Sequence, residues 1–158
     1  MELKNKILSP ELLAKRIEFW RTMGDTIVFT NGCFDIIHPG HIHLLQECAK
    51  AGDRLIVGLN SDASVKRLKG PSRPVNNEQS RVTVLAALQF TDAIVLFEED
   101  TPENLIHEVS PDVLIKGGDW NTDEIVGSDF VQSYGGKVST VQYLKGHSTT
   151  EIIRKIGK

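Results

Sequence analysis

Strand-like runs at 25–30, 54–59, 93–97, 113–115 and 137–141, the second of them near-continuously apolar, alternate along this chain with segments of helical spacing. That alternation narrows the folds available. A strand that is apolar on both faces must be covered on both faces, so the pattern predicts an α/β fold built on a parallel sheet of about five strands with helices on either side. The helices carry their own start and stop signals. Ser9 caps the first, with Pro10 in its opening turn, Leu13, Ile17 and Trp20 along one face and Gly24 at its end. Others are expected from Pro39 to about Ala51, from Asn77 to Gln89, and from Thr101 until Pro111. Ser148 to Glu151 reads as a capping box opening a last helix over 152–156. No repeat, low-complexity tract or linker divides the chain. One domain over 1–158 is expected, with 1–24 a helical segment packed on it; Leu13, Ile17 and Trp20 meet either that core or a partner in a homodimer.

The 158 residues are 40% hydrophobic and 25% charged, ordinary values for a globular domain, and the formal net charge is −3. A slightly acidic chain is a poor nonspecific nucleic-acid binder, so no nucleic-acid partner is expected. No apolar run reaches the length of a membrane span, and the first residues lack a secretory signal. Two cysteines, Cys33 and Cys48, are too few for a disulfide framework, and a reducing cytoplasm is the expected setting.

The chemistry concentrates after the first strand, in Thr30-Asn31-Gly32-Cys33-Phe34-Asp35-Ile36-Ile37-His38-Pro39-Gly40-His41. Strand, glycine loop and helix start together form a ready phosphate site, because unpaired backbone N–H groups and the positive end of the helix dipole point at the ligand. His38 and His41 project from the first turn of that helix and add donors for charge developing on phosphorus oxygens, which points to nucleotidyl transfer. Two other readings stand beside it: histidines satisfied by local hydrogen bonds, and a metal site using His38, His41, His43 and Cys48. Cys33 reads as a small residue tolerated in a tight loop in preference to a nucleophile, and Asp35 as a loop-structuring carboxylate in preference to a base.

The remaining motifs fall where the strands end. Asn60-Ser61-Asp62 follows the second strand, Lys116-Gly117-Gly118-Asp119 the fourth and His147 to Thr150 the fifth, and ligands of such sheets bind beyond the strands' carboxyl ends. Gly117 and Gly118 let backbone approach a ribose and base, or form a simple turn. Ser148, Thr149 and Thr150 offer hydroxyls and amides to a triphosphate, or serve only the capping box. From Lys66 to Arg81 the chain carries Lys66, Arg67, Lys69, Arg73 and Arg81 against a single acid, Glu78. This stretch is either a cationic patch for polyanionic substrates or a solvated basic face. The loop from Lys69 to Asn77 reads as a mobile active-site loop, with a plain surface loop as the alternative.

The segment through His38-Pro39-Gly40-His41 resembles the signature of the cytidylyltransferase-like nucleotidyltransferases. The resemblance continues through Leu59 to Asp62, Lys66 to Gly70, Ser72 to Asn76, Phe97 to Pro102, Lys116 to Asp119 and Gly146 to Thr150. It is nearest to the nucleotidyltransferase domain of the ADP-heptose synthases and runs from about residue 5 to the end. It implies a Rossmann-like, doubly wound fold, ATP as co-substrate, and Mg²⁺ bound mainly through substrate phosphates with no metal ligand from protein side chains. It also implies a sugar 1-phosphate acceptor, D-glycero-β-D-manno-heptose 1-phosphate, a role in lipopolysaccharide core synthesis, and a separate sugar kinase as pathway partner.

Carried onto this sequence, the resemblance makes His38, His41 and Lys69 catalytic. It assigns Thr30, Asn31, Gly32, Cys33, Phe34, Gly40, His41, Asn60, Lys116, Gly117, Gly118, Asp119, Ser148, Thr149 and Thr150 to the nucleotide, and Lys69, Arg73 and Arg81 to substrate phosphate. Glycerol-3-phosphate cytidylyltransferases place an arginine five residues before the serine of their final Ser-Thr-Thr, where this chain has Tyr143; neither Leu144 nor Lys145 supplies its planar fork. That departure favours ATP over CTP. A cytidylyltransferase for an alcohol phosphate and a noncatalytic nucleotide-binding module remain the competing functions.

Overall fold

The computed structural model describes residues 2–142, 144 and 146–157. Five strands form one parallel sheet: β1 (Ile27–Gly32), β2 (Arg54–Asn60), β3 (Ala93–Phe97), β4 (Val113–Gly117) and β5 (Lys137–Val141), in the order β3-β2-β1-β4-β5. The chain winds outward from β1 to β3, returns to β4 on the other side of β1, and ends at β5. The strand order therefore reverses between β1 and β4, and there the two crossover directions leave a crevice.

Successive side chains of each strand point to opposite faces, and the helices sort accordingly. Ile27 and Phe29 of β1 join α1 (Pro10–Thr22), α5 (Glu103–Val109) and α6 (Ser128–Ser133) in one apolar cluster. Val28 and the alternate residues of β2 join α2 (Pro39–Lys50) and α4 (Glu78–Ala87) in the other. Leu13, Ile17 and Trp20 of α1 are buried in the first cluster, so this face of the helix serves the core. The helix starts with Ser9 Oγ accepting from the Leu12 amide and stops before Gly24, whose φ is +78°. Ile7 bridges to Ile94 at the sheet edge and ties the N-terminal segment to β3.

Boundaries shift by a few residues from those expected, and two helices carry no clear sequence signal. β1 begins at Ile27 and extends to Gly32, where Asn31 and Gly32 still pair with Gly58 and Leu59. α7 (Thr149–Ile156) starts at Thr149, earlier than expected, with Ser148 as its cap. α3 (Asp62–Lys69) is short and buries only Ser64 and Val65, while α6 is shorter still and follows Gly127 at φ +84°. Neither is long enough to display helical periodicity. Among the described residues no helix is long and apolar enough to cross a membrane.

Candidate active site

The carboxyl ends of all five strands open on one cavity of about 830 Å³, a size suited to a small ligand. Its floor is the loop between β1 and α2. Phe34 takes φ +43°, a region costly for a side-chain-bearing residue, and turns the chain back so that its ring packs 5.1 Å from that of His41. A side chain at Gly32 would meet that ring at 3.0 Å.

His38 is the N-cap of α2, and its Nδ1 accepts a hydrogen bond from the Gly40 amide at 3.1 Å. An amide can only donate, so the imidazole proton resides on Nε2, the nitrogen left for a ligand. The ring lies against the backbone of residue 40: a Cβ there would sit 2.9 Å from His38 Cε1. His38 and His41 stack with centroids 3.8 Å apart and planes 28° apart. Burial, then the neighbouring His38, lowers the His41 pKa to about 4, only partly offset by the Ile36 carbonyl. Burial and His147 lower that of His38. Both rings are therefore neutral at neutral pH, and His41 Nδ1 is a buried polar atom with no hydrogen-bond partner among the described residues. Such an atom is costly unless a ligand engages it.

Cations surround this floor. Lys69 and Arg73 line the cavity. Lys116, at the end of β4, turns back so that Nζ donates to Asn31 Oδ1 at 3.2 Å, and its pKa is lowered first by burial and also by Lys69. Cys33 lies among Lys69, Arg81, Arg73 and Lys116, which would favour a thiolate, yet burial outweighs them and raises its pKa. A protonated thiol is a poor nucleophile.

Asp35 organises the loop beside the site. Its carboxylate accepts from the Val75 and Asn76 amides, each at 2.9 Å, and from Arg73 Nε at 2.6 Å. Burial acts to raise its pKa, but these amides and Arg73 outweigh it and hold the carboxyl below its ordinary value. The second half of the 69–77 loop, expected to be mobile, is thus fastened to the β1–α2 loop.

Several expected site residues lie elsewhere. Arg81 does not face the cavity: at 1% exposure its guanidinium donates to the carbonyls of Asn76 and Cys33 and to Asp62 Oδ1, at 3.0, 2.7 and 2.8 Å. The donors meant for phosphate are committed to three chain segments, so Arg81 builds the wall behind Cys33. Thr30 is fully buried within β1, beside the Cys48 thiol, and cannot reach a nucleotide. Gly118 has φ +123° and donates its amide to the Val141 carbonyl. It forms with Asp119 a turn past the cavity wall, which Lys116 and Gly117 line. Gly117 serves packing, since a Cβ there would press on Leu44 of α2 at 3.1 Å. Ser148, Thr149 and Thr150 all line the cavity at the start of α7, although Ser148 Oγ is occupied in capping the Glu151 amide. Asn60 lines its other side.

Among the described residues no group of three His, Cys, Asp or Glu side chains is placed to hold a metal, and Cys48 is fully buried away from the cavity. The metal-site reading of His38, His41, His43 and Cys48 lacks its ligands. Tyr143 and Lys145 lie outside the described residues. Sequence reasoning missed Trp120 and Val126; with Ile125, Val141 and Leu144 they form an apolar wall at the β4–β5 end of the cavity. Trp120 is fixed by a hydrogen bond from Nε1 to the Gly117 carbonyl at 3.2 Å. The only signal for it was an aromatic residue directly after the Lys116 to Asp119 string.

The family profile described as cytidylyltransferase-like matches residues 29–155. The "Bifunctional protein HldE" of Gluconobacter oxydans is 53% identical over 144 residues, covering 91% of this chain and 30% of that protein. Its namesake from Methylobacillus flagellatus is 51% identical over 152 residues, covering 96% and 31%. This chain spans about a third of the length of these curated relatives. The crystal structure titled lipopolysaccharide core biosynthesis protein, from Thermoplasma volcanium, is 34% identical, with TM-score 0.63, covering 78% of this chain and 100% of that one. A pantoate-beta-alanine ligase from Francisella tularensis, 16% identical with TM-score 0.61, covers 95% of this chain and 77% of its own, and shares the fold alone.

Proposed function

This chain belongs to the cytidylyltransferase-like family, and from that premise we propose that it transfers an adenylyl group from ATP to a sugar 1-phosphate, releasing pyrophosphate. The observation that carries the reading is the neutral His38–His41 stack at the start of α2, over a glycine loop and beneath a cavity edged by Lys69 and Arg73. The α-phosphate occupies the start of α2, where the helix dipole and His38 Nε2–H converge; the Gly40, His41 and Ile42 amides there already donate to His38. A phosphate oxygen of the acceptor attacks the α-phosphorus in line and expels pyrophosphate. The acceptor is already ionised at neutral pH, so no base is required and catalysis consists of positioning and charge stabilisation.

Arg73 and the first turn of α7 neutralise the triphosphate and the departing pyrophosphate, Lys69 meets the acceptor phosphate, and Lys116 with Asn31 holds the floor. Mg²⁺, held mainly by the substrate phosphates, would supply charge neutralisation at the triphosphate beside Arg73. The apolar wall of Trp120, Val126 and Leu144 suits a purine base. Identity near 50% with proteins named HldE supports heptose 1-phosphate as the acceptor, ADP-heptose as the product, a place in lipopolysaccharide core synthesis, a cytoplasmic setting, and a sugar kinase acting upstream.

The route is tested with sugar 1-phosphate carrying ¹⁸O in its phosphate. Direct attack leaves one labelled oxygen in the bridge of the nucleotide sugar and none in pyrophosphate. Label in pyrophosphate would contradict it.

A further inference from the structure

The two ends of the cavity differ in chemistry. At the β4–β5 end the wall is apolar and aromatic; at the β2–β3 end it is formed by Asn60, Asp100 and Thr101, with Lys69 beside them. A carboxylate is a poor neighbour for a triphosphate and offers nothing to a purine face, but it accepts hydrogen bonds from sugar hydroxyls. We infer that Asp100 and Thr101 form the hydroxyl-reading edge of the acceptor subsite, setting which sugar phosphate the protein accepts. The inference rests on the nucleotidyl-transfer reading and assigns the acceptor's uncharged part to one end of the same cavity.

This edge is held in place before any ligand binds. Asn60 is buried and donates from Nδ2 to Ser64 Oγ at 3.0 Å, and Ser64 Oγ donates to the Glu99 carbonyl at 2.8 Å. One turn further along α3, Arg67 donates from Nε to Asp100 Oδ1 at 2.7 Å and from Nη2 to the Glu98 carbonyl. Ser64 and Arg67 share a helix face by their three-residue spacing and clamp the segment after β3 from one side. Arg67 and Asp100 are both solvent-exposed, and with Arg67 on Oδ1 the carboxylate keeps Oδ2 for a hydroxyl. The two residues that follow Arg67 and end the same helix, Leu68 and Lys69, line the cavity. One helix thereby sets a cation for the acceptor phosphate and a carboxylate for its hydroxyls at a fixed spacing, as a sugar 1-phosphate requires. Arg67 is a positioning residue in this arrangement.

The test measures kcat and KM separately for ATP and for the acceptor in Asp100→Ala, Asp100→Asn, Thr101→Val and Arg67→Met, alongside acceptors lacking single hydroxyls. Asp100→Ala should raise the acceptor KM about tenfold or more, the scale of a hydrogen bond to a charged group, and leave the ATP KM within about twofold. Asp100→Asn keeps an acceptor oxygen and should fall between. One deoxy acceptor should lose affinity for the wild-type protein but lose little further in Asp100→Ala, since both changes remove the same contact. Acceptor KM unchanged in folded Asp100→Ala and Thr101→Val, or ATP KM raised equally, would overturn the inference. Absence of pyrophosphate release by the wild-type protein with every substrate pair would instead overturn the nucleotidyl-transfer reading beneath it.

Discussion

The imidazoles of His38 and His41 stack face to face at 3.8 Å, with His38 as the N-cap of α2 and His41 within its first turn. Two cations at that separation would repel, and burial of His41 already disfavours charge. The pair therefore meets a phosphate as neutral donors, and an incoming anion stabilises whatever protonation the transition state requires. Removal of one such donor costs about a hundredfold or more in turnover. His38→Ala and His41→Ala should each show that loss with unchanged circular dichroism; near-normal turnover in either folded variant removes that imidazole from the chemistry.

The same burial makes a stability prediction. The His41 pKa falls from an ordinary 6.5 to about 4 on folding, so the unfolded chain binds more protons between those values. This contribution to stability is fully present above pH 6.5 and is lost as pH falls toward 4. Replacing His41 by a neutral Gln should flatten the denaturation midpoint over that window. A midpoint equally steep in His41→Gln would assign the dependence to other groups. Asp35, whose pKa is lowered by the Asn76 and Val75 amides and Arg73, acts in a more acidic window: its contribution is present above about pH 3.8 and lost below it.

Arg81 behind Cys33 has three partners on three segments and no exposed edge. Arg81→Met should destabilise the protein by about 3 kcal/mol or more, since it leaves buried carbonyls and a carboxylate without their donor. Arg81→Lys should recover little, because an ammonium cannot span that fork. A denaturation midpoint close to wild type in Arg81→Met would show that Asn76, Cys33 and Asp62 find other donors.

Lys69→Ala should reduce turnover far more than Lys4→Ala, whose side chain is exposed and pairs with Glu2 on the surface. Cys33→Ser should keep most of its activity, because the thiol is protonated and no covalent intermediate is needed. Loss of turnover in a folded Cys33→Ser variant would reopen covalent catalysis.

How much of this was legible beforehand follows from what each feature depends on. The sheet and its flanking helices were readable because five strand-like runs and the α1 and α4 spacings are local properties of sequence. The segment from Asn31 to His41 was readable for the same reason: strand, glycine, cap and helix start are contiguous. Arg81 was misplaced because charge density between Lys66 and Arg81 does not reveal direction, and Asp62, Asn76 and Cys33 surround it only in three dimensions. Thr30 was assigned to the nucleotide by its place in the motif, yet strand alternation turns it inward. Trp120 gained its place only when the β4 end and the segment before α6 came together.

The most direct measurement is pyrophosphate release with ATP, CTP, GTP and UTP, each against heptose 1-phosphate, hexose 1-phosphates and glycerol 3-phosphate. ATP with heptose 1-phosphate should give the highest kcat/KM, and glycerol 3-phosphate should be poor, since a site that pairs with ring hydroxyls rejects a ligand lacking them. Preference for CTP with glycerol 3-phosphate would contradict the heptose assignment, and no release with any pair would contradict nucleotidyl transfer itself.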